Sequence, residues 1–312
     1  MSGYWHGKRV LVTGGGGFVG SAVVRALRRA GLDDASIVVP RSKTCDLRIL
    51  DHARDAVRGC QVVIHLAAPT GSVAYSKIHP ASQYRDCSLI NLNVFEAARQ
   101  AGVRKLIGVG NLLAYPAETP MPMREEHVHD GRVATGYLGI ALAKRQLIDL
   151  AEMYQREFNL PAVTVLGANA YGPGDHFEGV QAHVIPSTIV KCLRDEDLVV
   201  WGDGTPTRDF LFVDDLAEGI LDAGARLQPL DVVNVASGRE VSIADLVARI
   251  AALCNFRHRI IFDASKGGGD RRMASTERAG ARLGFQPRVP LHEGLQRTIE
   301  WYQQSLTSAA AQ

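Results

Sequence analysis

At 312 residues, 46% hydrophobic and 22% charged, the chain has the composition of a soluble globular protein with room for one large domain or two smaller ones. A formal net charge of +2 gives no electrostatic case for nucleic acid or an anionic membrane surface. No run of about 18 apolar residues occurs, MSGYWHGK lacks the apolar core of a leader, and five scattered cysteines without CxxC spacing predict reduced thiols in the cytoplasm.

In chain order, Arg9 to Thr13 is a short apolar strand, followed by Gly14, Gly17 and Gly20 at spacing three and three. From Ser21 to Arg29 apolar residues recur at helical spacing. Strand, glycine turn and helix together predict a dinucleotide site. Gly14 makes the tight turn, Gly17 admits the pyrophosphate and Gly20 lets the helix pack close, with Phe18 and Val19 opening the helix at the phosphates. A second strand follows at Ser36–Val39. Where NAD sites carry an acid, this chain has Pro40, Arg41, Ser42 and Lys43, which favours NADP(H) over NAD(H). Asp46 and Leu47 come next and are assigned to the cofactor site.

Val62 to Ala68, VVIHLAA, is a third strand whose Leu66, Ala67 and Ala68 let the chain pass close to a flat cofactor. A helix at Tyr84–Gln100, a strand at Lys105–Val109, a helix from near Gly136 to Phe158 and a strand at Ala162–Leu166 complete the alternation, with Leu166 also at the cofactor. Alternating strands and helices predict an α/β, Rossmann-type doubly wound parallel sheet, with ligands at the carboxyl ends of the strands. His127 and His129, among Glu125, Glu126, Asp130 and Gly131, belong to a solvated loop rather than a metal centre.

After Gly167 the pattern changes to Gly-Pro-Gly-Asp turns and a mixed stretch at Val199–Asp215. A strand at Asp231–Ala236, a helix at Ser242–Cys254, a loop-rich stretch over 255–290 and a helix at Leu291–Tyr302 follow, with 305–312 expected to fray. This predicts a large domain over 1–167, to which the chain returns around 212–235, and a smaller C-terminal α/β lobe from 168–211 and 236–312.

The glycine turn, HLAA at 65–68, YGP at 171–173 and RDFLFVDDLA at 208–217 resemble the extended short-chain dehydrogenase/reductases, which include nucleotide-sugar epimerases, dehydratases and reductases. AHVIP at 182–186, WGDGTPTRDFLFVDD at 201–215 and FDASKGGGDRR at 262–272 are most like the GDP-L-fucose synthases of that family. The resemblance implies a sugar-nucleotide substrate, GDP-linked, held by Trp201, Arg208, Asn169, Val184 and Arg272. It also implies His183 as the acid of epimerisation, touching cofactor and substrate, and a homodimer formed by the helices near 84–100 and 136–158.

The family's reductive centre is a Ser with a Tyr-x-x-x-Lys pair, the Tyr giving a proton to the carbonyl as hydride arrives. Lys144 matches, at both the cofactor and the chemistry. The Tyr position is Ile140, the Ser position Asn111, and the position of the family's epimerisation cysteine Leu113. Asn111 can still hydrogen-bond a carbonyl through its amide. Tyr137, seven residues before Lys144, would share its helix face, about 10.5 Å along the axis instead of about 6 Å, unless this stretch is not helical. Three readings stay open: a reductase or epimerase whose acid is Tyr137 or water, a proton-transfer enzyme using His183 and Lys144, and a non-catalytic cofactor- or nucleotide-binding partner.

Overall fold

Short runs of β-branched residues, buried on both faces, build the central layer of the computed structural model, which describes residues 2–69, 73–177, 179, 182–194, 196–266 and 271–310. Strands β1 (Val10–Thr13), β2 (Ile37–Val38), β3 (Val62–His65), β4 (Lys105–Asn111) and β5 (Ala162–Gly167) follow one another with helices between them. Helix α1 (Ser2–Trp5) precedes β1, and the helices between the strands are α2 (Phe18–Arg29), α3 (Leu50–Val57), α4 (Val73–Ile78), α5 (Pro80–Gln100) and α6 (Leu138–Phe158). There follow β6 (Asn169–Tyr171), α7 (Val184–Cys192), β7 (Leu198–Trp201), β8 (Thr207–Arg208), β9 (Phe210–Phe212) and α8 (Val213–Arg226). The chain closes with β10 (Val232–Val235), β11 (Val241–Ser242), α9 (Ile243–Leu253), β12 (Ile260–Asp263), α10 (Glu277–Leu283) and α11 (Leu291–Ala310).

The large sheet runs β10-β5-β4-β3-β1-β2, all parallel. It is a Rossmann-type doubly wound sheet. From β1 the chain steps one way to β2 and then the other way to β3, so the crevice opens between the carboxyl ends of β1 and β3. The glycine turn leaves β1 there, and Leu66–Ala68 leave β3. One apolar core packs α2 and α8 on the sheet, and a second packs α3, α5 and α6 on its other face.

The smaller lobe has its own core, in which Ile185, Ile189, Leu246, Ile250, Leu295 and Ile299 pack around Tyr171, Phe210 and Phe212. Its strands pair in twos, β6 with β9, β8 with β11 and β7 with β12.

Four stretches differ from the sequence expectation. Residues 255–290, predicted loop-rich, hold β12 and α10. Helix α11 runs to Ala310, well past Tyr302, while 311–312 lie outside the described residues. Residues 273–285, placed by the sequence in the smaller lobe, pack Ala274, Ala279, Leu283 and Phe285 into the large core. The N-terminal turn, unassigned from sequence, buries Trp5 completely in that core; a Cβ on Gly224 would lie 2.9 Å from its ring.

Candidate active site

The floor of the crevice is built from missing side chains. Gly14 takes φ +70°, and a Cβ there would lie 3.0 Å from the amide nitrogen of Ala67. A Cβ on Gly20 would collide with the Gly14 carbonyl. Gly17 caps α2 with no side-chain hydrogen bond, and the first turn carries no acid, so the helix dipole faces the crevice uncompensated. A Cβ on Gly16 would collide with the guanidinium of Arg41, so that cation lies over the turn. Among the described residues Arg41 forms no ion pair. A dinucleotide phosphate fits this cradle.

The other residues predicted at the cofactor surround it unequally. Phe18 and Val19 are half-buried against the large core, as is Leu66, while Ala68 packs into the cluster that contains Ile140. The Asp46 carboxylate is held at about 2 by its hydrogen bonds to Arg48, and Leu47 is buried with its carbonyl bonded to Asn93 Nδ2 at 3.0 Å. Leu166 is wholly buried in the large core, its side chain packed over Gly110.

Behind the floor runs a directional hydrogen-bond relay that the sequence did not reveal. Asn91 Oδ1 accepts from His65 Nε2 at 3.0 Å, because both Asn91 Nδ2 hydrogens are spent on the Ala143 carbonyl at 2.9 Å and Gln146 Oε1 at 3.0 Å. Nδ1 of the neutral His65 therefore accepts from Thr13 Oγ1 at 2.7 Å. The Thr13 oxygen in turn accepts from the amides of Leu66 and Ala67, each at 3.2 Å. Burial drives the His65 pKa down to about 4, more than the Asn91 hydrogen bond raises it, with the Lys144 charge adding to the fall. The relay joins the glycine turn to α6 one residue before Lys144.

Lys144 itself is only 9% exposed and donates to the Val109 carbonyl at 3.0 Å, near the carboxyl end of β4. Burial pushes its pKa down. One turn earlier Ile140 packs with Ala143 and Cys87, and Ala68, Leu113 and Tyr137 close the cluster. Tyr137 is not on the face of α6: it ends a 3-10 turn at Thr135–Tyr137, with φ −129° and ψ 21°, and the helix begins after it. The extra axial distance of a continuous helix therefore does not apply, and the ring reaches the Ile140 cluster from the side. Asn111 caps the next 3-10 turn, its Oδ1 accepting from Leu113 N at 3.2 Å.

The predicted substrate residues stand on the smaller lobe or at its border. His183 caps α7 with its ring open to solvent on one side; desolvation on the others, then the nearby His176, lowers its pKa. The same fall favours the neutral imidazole of His183 over the charged one. Val184 follows it, half-buried against the lobe core. Trp201 is 65% exposed at the end of β7. Arg208 donates to the Thr207 carbonyl at 2.7 Å, and Asn169 Nδ2 to the Asp209 carbonyl at 3.0 Å. Arg272 is buried and donates to the Leu112 carbonyl at 3.1 Å, tying the C-terminal segment to the turn after β4. Asp209, part of the quoted RDFLFVDD, binds Ser237 N at 2.9 Å, Ser237 Oγ at 2.6 Å and Gly238 N at 3.0 Å, holding the junction of the lobes. His127 and His129 make separate contacts, to Asp130 at 2.7 Å and Asp149 at 3.6 Å.

With this geometry, the comparison with known proteins is decisive. The NAD dependent epimerase/dehydratase family matches residues 10–236. The chain belongs to that family. It is 33% identical over 311 residues to a probable GDP-L-fucose synthase 1 of Oryza sativa subsp. japonica, covering 97% of this chain and 94% of that protein. It is 32% identical over 313 residues to the GDP-L-fucose synthase of Escherichia coli (strain K12), covering 95% and 96%. Its fold is similar to a GDP-L-fucose synthetase from Naegleria fowleri bound to NADP, with a TM-score of 0.86 at 26% identity over 96% of this chain and 93% of that one. The motifs quoted from the sequence thus do mark an epimerase/dehydratase.

The relay makes stability depend on pH in a stated direction. His65 titrates near its ordinary value of about 6.5 when unfolded and about 4 when folded, so the unfolded chain binds more protons between them. Its contribution is complete above about pH 6.5 and is lost as pH falls toward about 4, amounting to roughly 3 kcal/mol. Urea unfolding at both ends of that window should show this loss, and His65→Gln should remove most of it; an equal loss in the variant assigns the slope to other groups.

Proposed function

We propose that the protein is a nucleotide-sugar epimerase/reductase of the extended short-chain type. It works with bound NADP(H) on a 4-keto-6-deoxy sugar carried on a nucleoside diphosphate, GDP foremost. The observation that carries this reading is Lys144. Burying an ammonium costs several kcal/mol unless it is well paired, and the bond to Val109 leaves further N–H donors of Lys144 to satisfy. A packed apolar residue would serve the fold better. Beside the crevice, those donors suit the ribose of a dinucleotide. The likeness to GDP-L-fucose synthases over nearly the whole chain supports the substrate class.

NADP(H) would supply the hydride. The chain's own part is to hold the dinucleotide at the glycine turn, with Arg41 taking the 2′-phosphate by a charge-assisted fork. Lys144 and Asn111 orient the carbonyl side, while Trp201, Arg208 and Asn169 receive the sugar nucleotide. His183, neutral at pH 7, takes the proton from the carbon beside the ketone. That neutral base also favours a second reading, epimerisation by proton transfer with no net redox change. The five cysteines, all free thiols, accord with a cytoplasmic protein.

Incubation with NADPH and GDP-4-keto-6-deoxymannose should consume NADPH and carry solvent deuterium into the sugar. Deuterium without NADPH loss establishes the second reading, and neither overturns both. Arg41→Ala should weaken NADPH binding about tenfold or more while sparing NADH; equal weakening of the two assigns the cofactor wrongly.

His183→Asn should lower epimerisation by about 10²–10⁴-fold, while Tyr137→Phe costs little. The wild-type rate should hold as pH falls to about 6.5 and decline only below it, because the His183 pKa is depressed. The reverse pattern of variants makes the phenol the acting group.

Helices α5 and α6 turn Tyr84, Leu89, Leu92, Leu138, Leu142 and Met153 outward. Two copies packing these faces isologously would make the homodimer. Light scattering at micromolar concentration should give twice the chain mass, and Leu92→Glu with Leu142→Glu should halve it; a wild-type monomer rules the dimer out.

A further inference from the structure

Helix α5 turns a buried polar stripe toward α6. Gln83, Cys87 and Asn91 stand four apart, share one face and are all buried. Asn91 bonds the Ala143 carbonyl, one residue before Lys144. One turn back, Cys87 is 1% exposed and packs with Ile140 and Ala143, in the cluster closed by Leu113 and Tyr137. Another turn back, Gln83 Nε2 donates to the Pro69 carbonyl at 3.3 Å, the same oxygen that Cys87 Sγ approaches at 3.8 Å. Among the described residues the buried Oε1 of Gln83 has no hydrogen-bond partner. Cys87 thus packs directly on Ile140, where the family resemblance places a phenol, and on Ala143, the residue before Lys144, with the Gln83 amide one turn away.

We propose that Cys87 is the proton donor of this site, working as a pair with Lys144. The inference rests on the reduction proposed above. In the step, the Sγ–H bond breaks and its proton bonds to the ketone oxygen, the electron pair staying on sulfur. The carbonyl carbon gains a hydride and is reduced, the reduced nicotinamide being the species oxidised. The thiolate is neutralised beside the Lys144 ammonium and regains a proton from solvent.

The charges around the thiol agree. Lys144 on α6 is the cation that lowers its pKa, and Asp86 on its own helix is the acid that raises it. The Tyr137 phenol closes the cluster, and Lys77 of α4 lies under Gly136, one residue before that phenol. Burial dominates and lifts the thiol to about 11, so it is protonated at neutral pH, as a donor must be. In turn Cys87 is the ionisable group that raises the Lys144 pKa against its burial.

Thiolate ultraviolet absorbance, wild type minus Cys87→Ser, reads the ionisation of Cys87 with no substrate present. Lys144→Met should lower the thiolate fraction near pH 10 about tenfold or more; an unchanged fraction overturns the pair. Turnover is read separately. Cys87→Ala should slow NADPH oxidation with GDP-4-keto-6-deoxymannose by about 10²–10⁴-fold, with NADPH affinity unchanged and Cys87→Ser retaining part of the rate. Wild-type turnover in Cys87→Ala overturns the proposal whatever the titration gives. A wild type that oxidises no NADPH overturns the reduction itself, and the titration still decides whether thiol and ammonium are coupled.

Discussion

The approach of Gly14 to the backbone of Ala67 sets the rest of the site. With no Cβ between them, β1 and β3 end close together, and the Thr13 hydroxyl can take both the Leu66 and Ala67 amides. That hydroxyl must then donate toward His65, which fixes the His tautomer. The tautomer fixes the Asn91 amide, and the amide fixes α6. A backbone contact at the phosphate turn is thereby transmitted to the height of Lys144 above the sheet. Each donor and acceptor of the relay is engaged, so no member can turn over without orphaning another.

Much of this was legible in the sequence, for physical reasons that also explain what was missed. Short apolar runs located β1 to β5, because those strands are buried on both faces, and helical spacing located α2, α5 and α6, while α1, α3 and α4 were missed. Their ends were harder. Strand β3 stops at His65 rather than Ala68 because β1 ends at Thr13, whose side-chain hydroxyl takes the next two amides in place of further ladder carbonyls. Helix α6 starts at Leu138 because Tyr137 has non-helical angles. Strand β12 gave no signal, since Ile260, Ile261 and Phe262 are all partly exposed and its partner β7 lies some sixty residues earlier. Trp5 gave no signal in its short polar stretch, since the residue that makes room for it, Gly224, is far away in the chain. The glycine turn and the helix after it could be read directly, since they are local. The relay and the Cys87 cluster could not, because they join residues from helices and strands that nothing in the spacing brings together.

The cluster beside Lys144 is apolar. Ile140 and Leu113 put branched hydrocarbon where the family resemblance places a phenol and a thiol, so the surroundings of Lys144 polarise little. In such a medium a lone charge is costly and any group that can share it gains influence. That is why a thiol raised by burial, an unsatisfied glutamine oxygen and a neutral histidine matter here more than they would on a wet surface. The small lobe supplies the complementary character, with an exposed indole and arginines at its border.

The segment that carries Arg272 leaves the smaller lobe and threads back into the larger one. Its Met273 carbonyl takes the Met123 amide at 2.8 Å, and its Ser275 amide bonds the Met123 carbonyl at 2.8 Å. Asn234 holds both strands of that contact, reaching the Met123 carbonyl at 3.0 Å and the Ser275 carbonyl at 3.3 Å. The lobe is therefore sewn in at several crossings rather than appended at one. Exchange of specificity between relatives by recombination could not treat it as a cassette: a single junction after β10 would separate Met123 and Asn234 from the partners that complete them. A viable chimaera must carry residues 273–285 with the parent that supplies the sheet, so inherited substrate preference and inherited stability part company at Arg272.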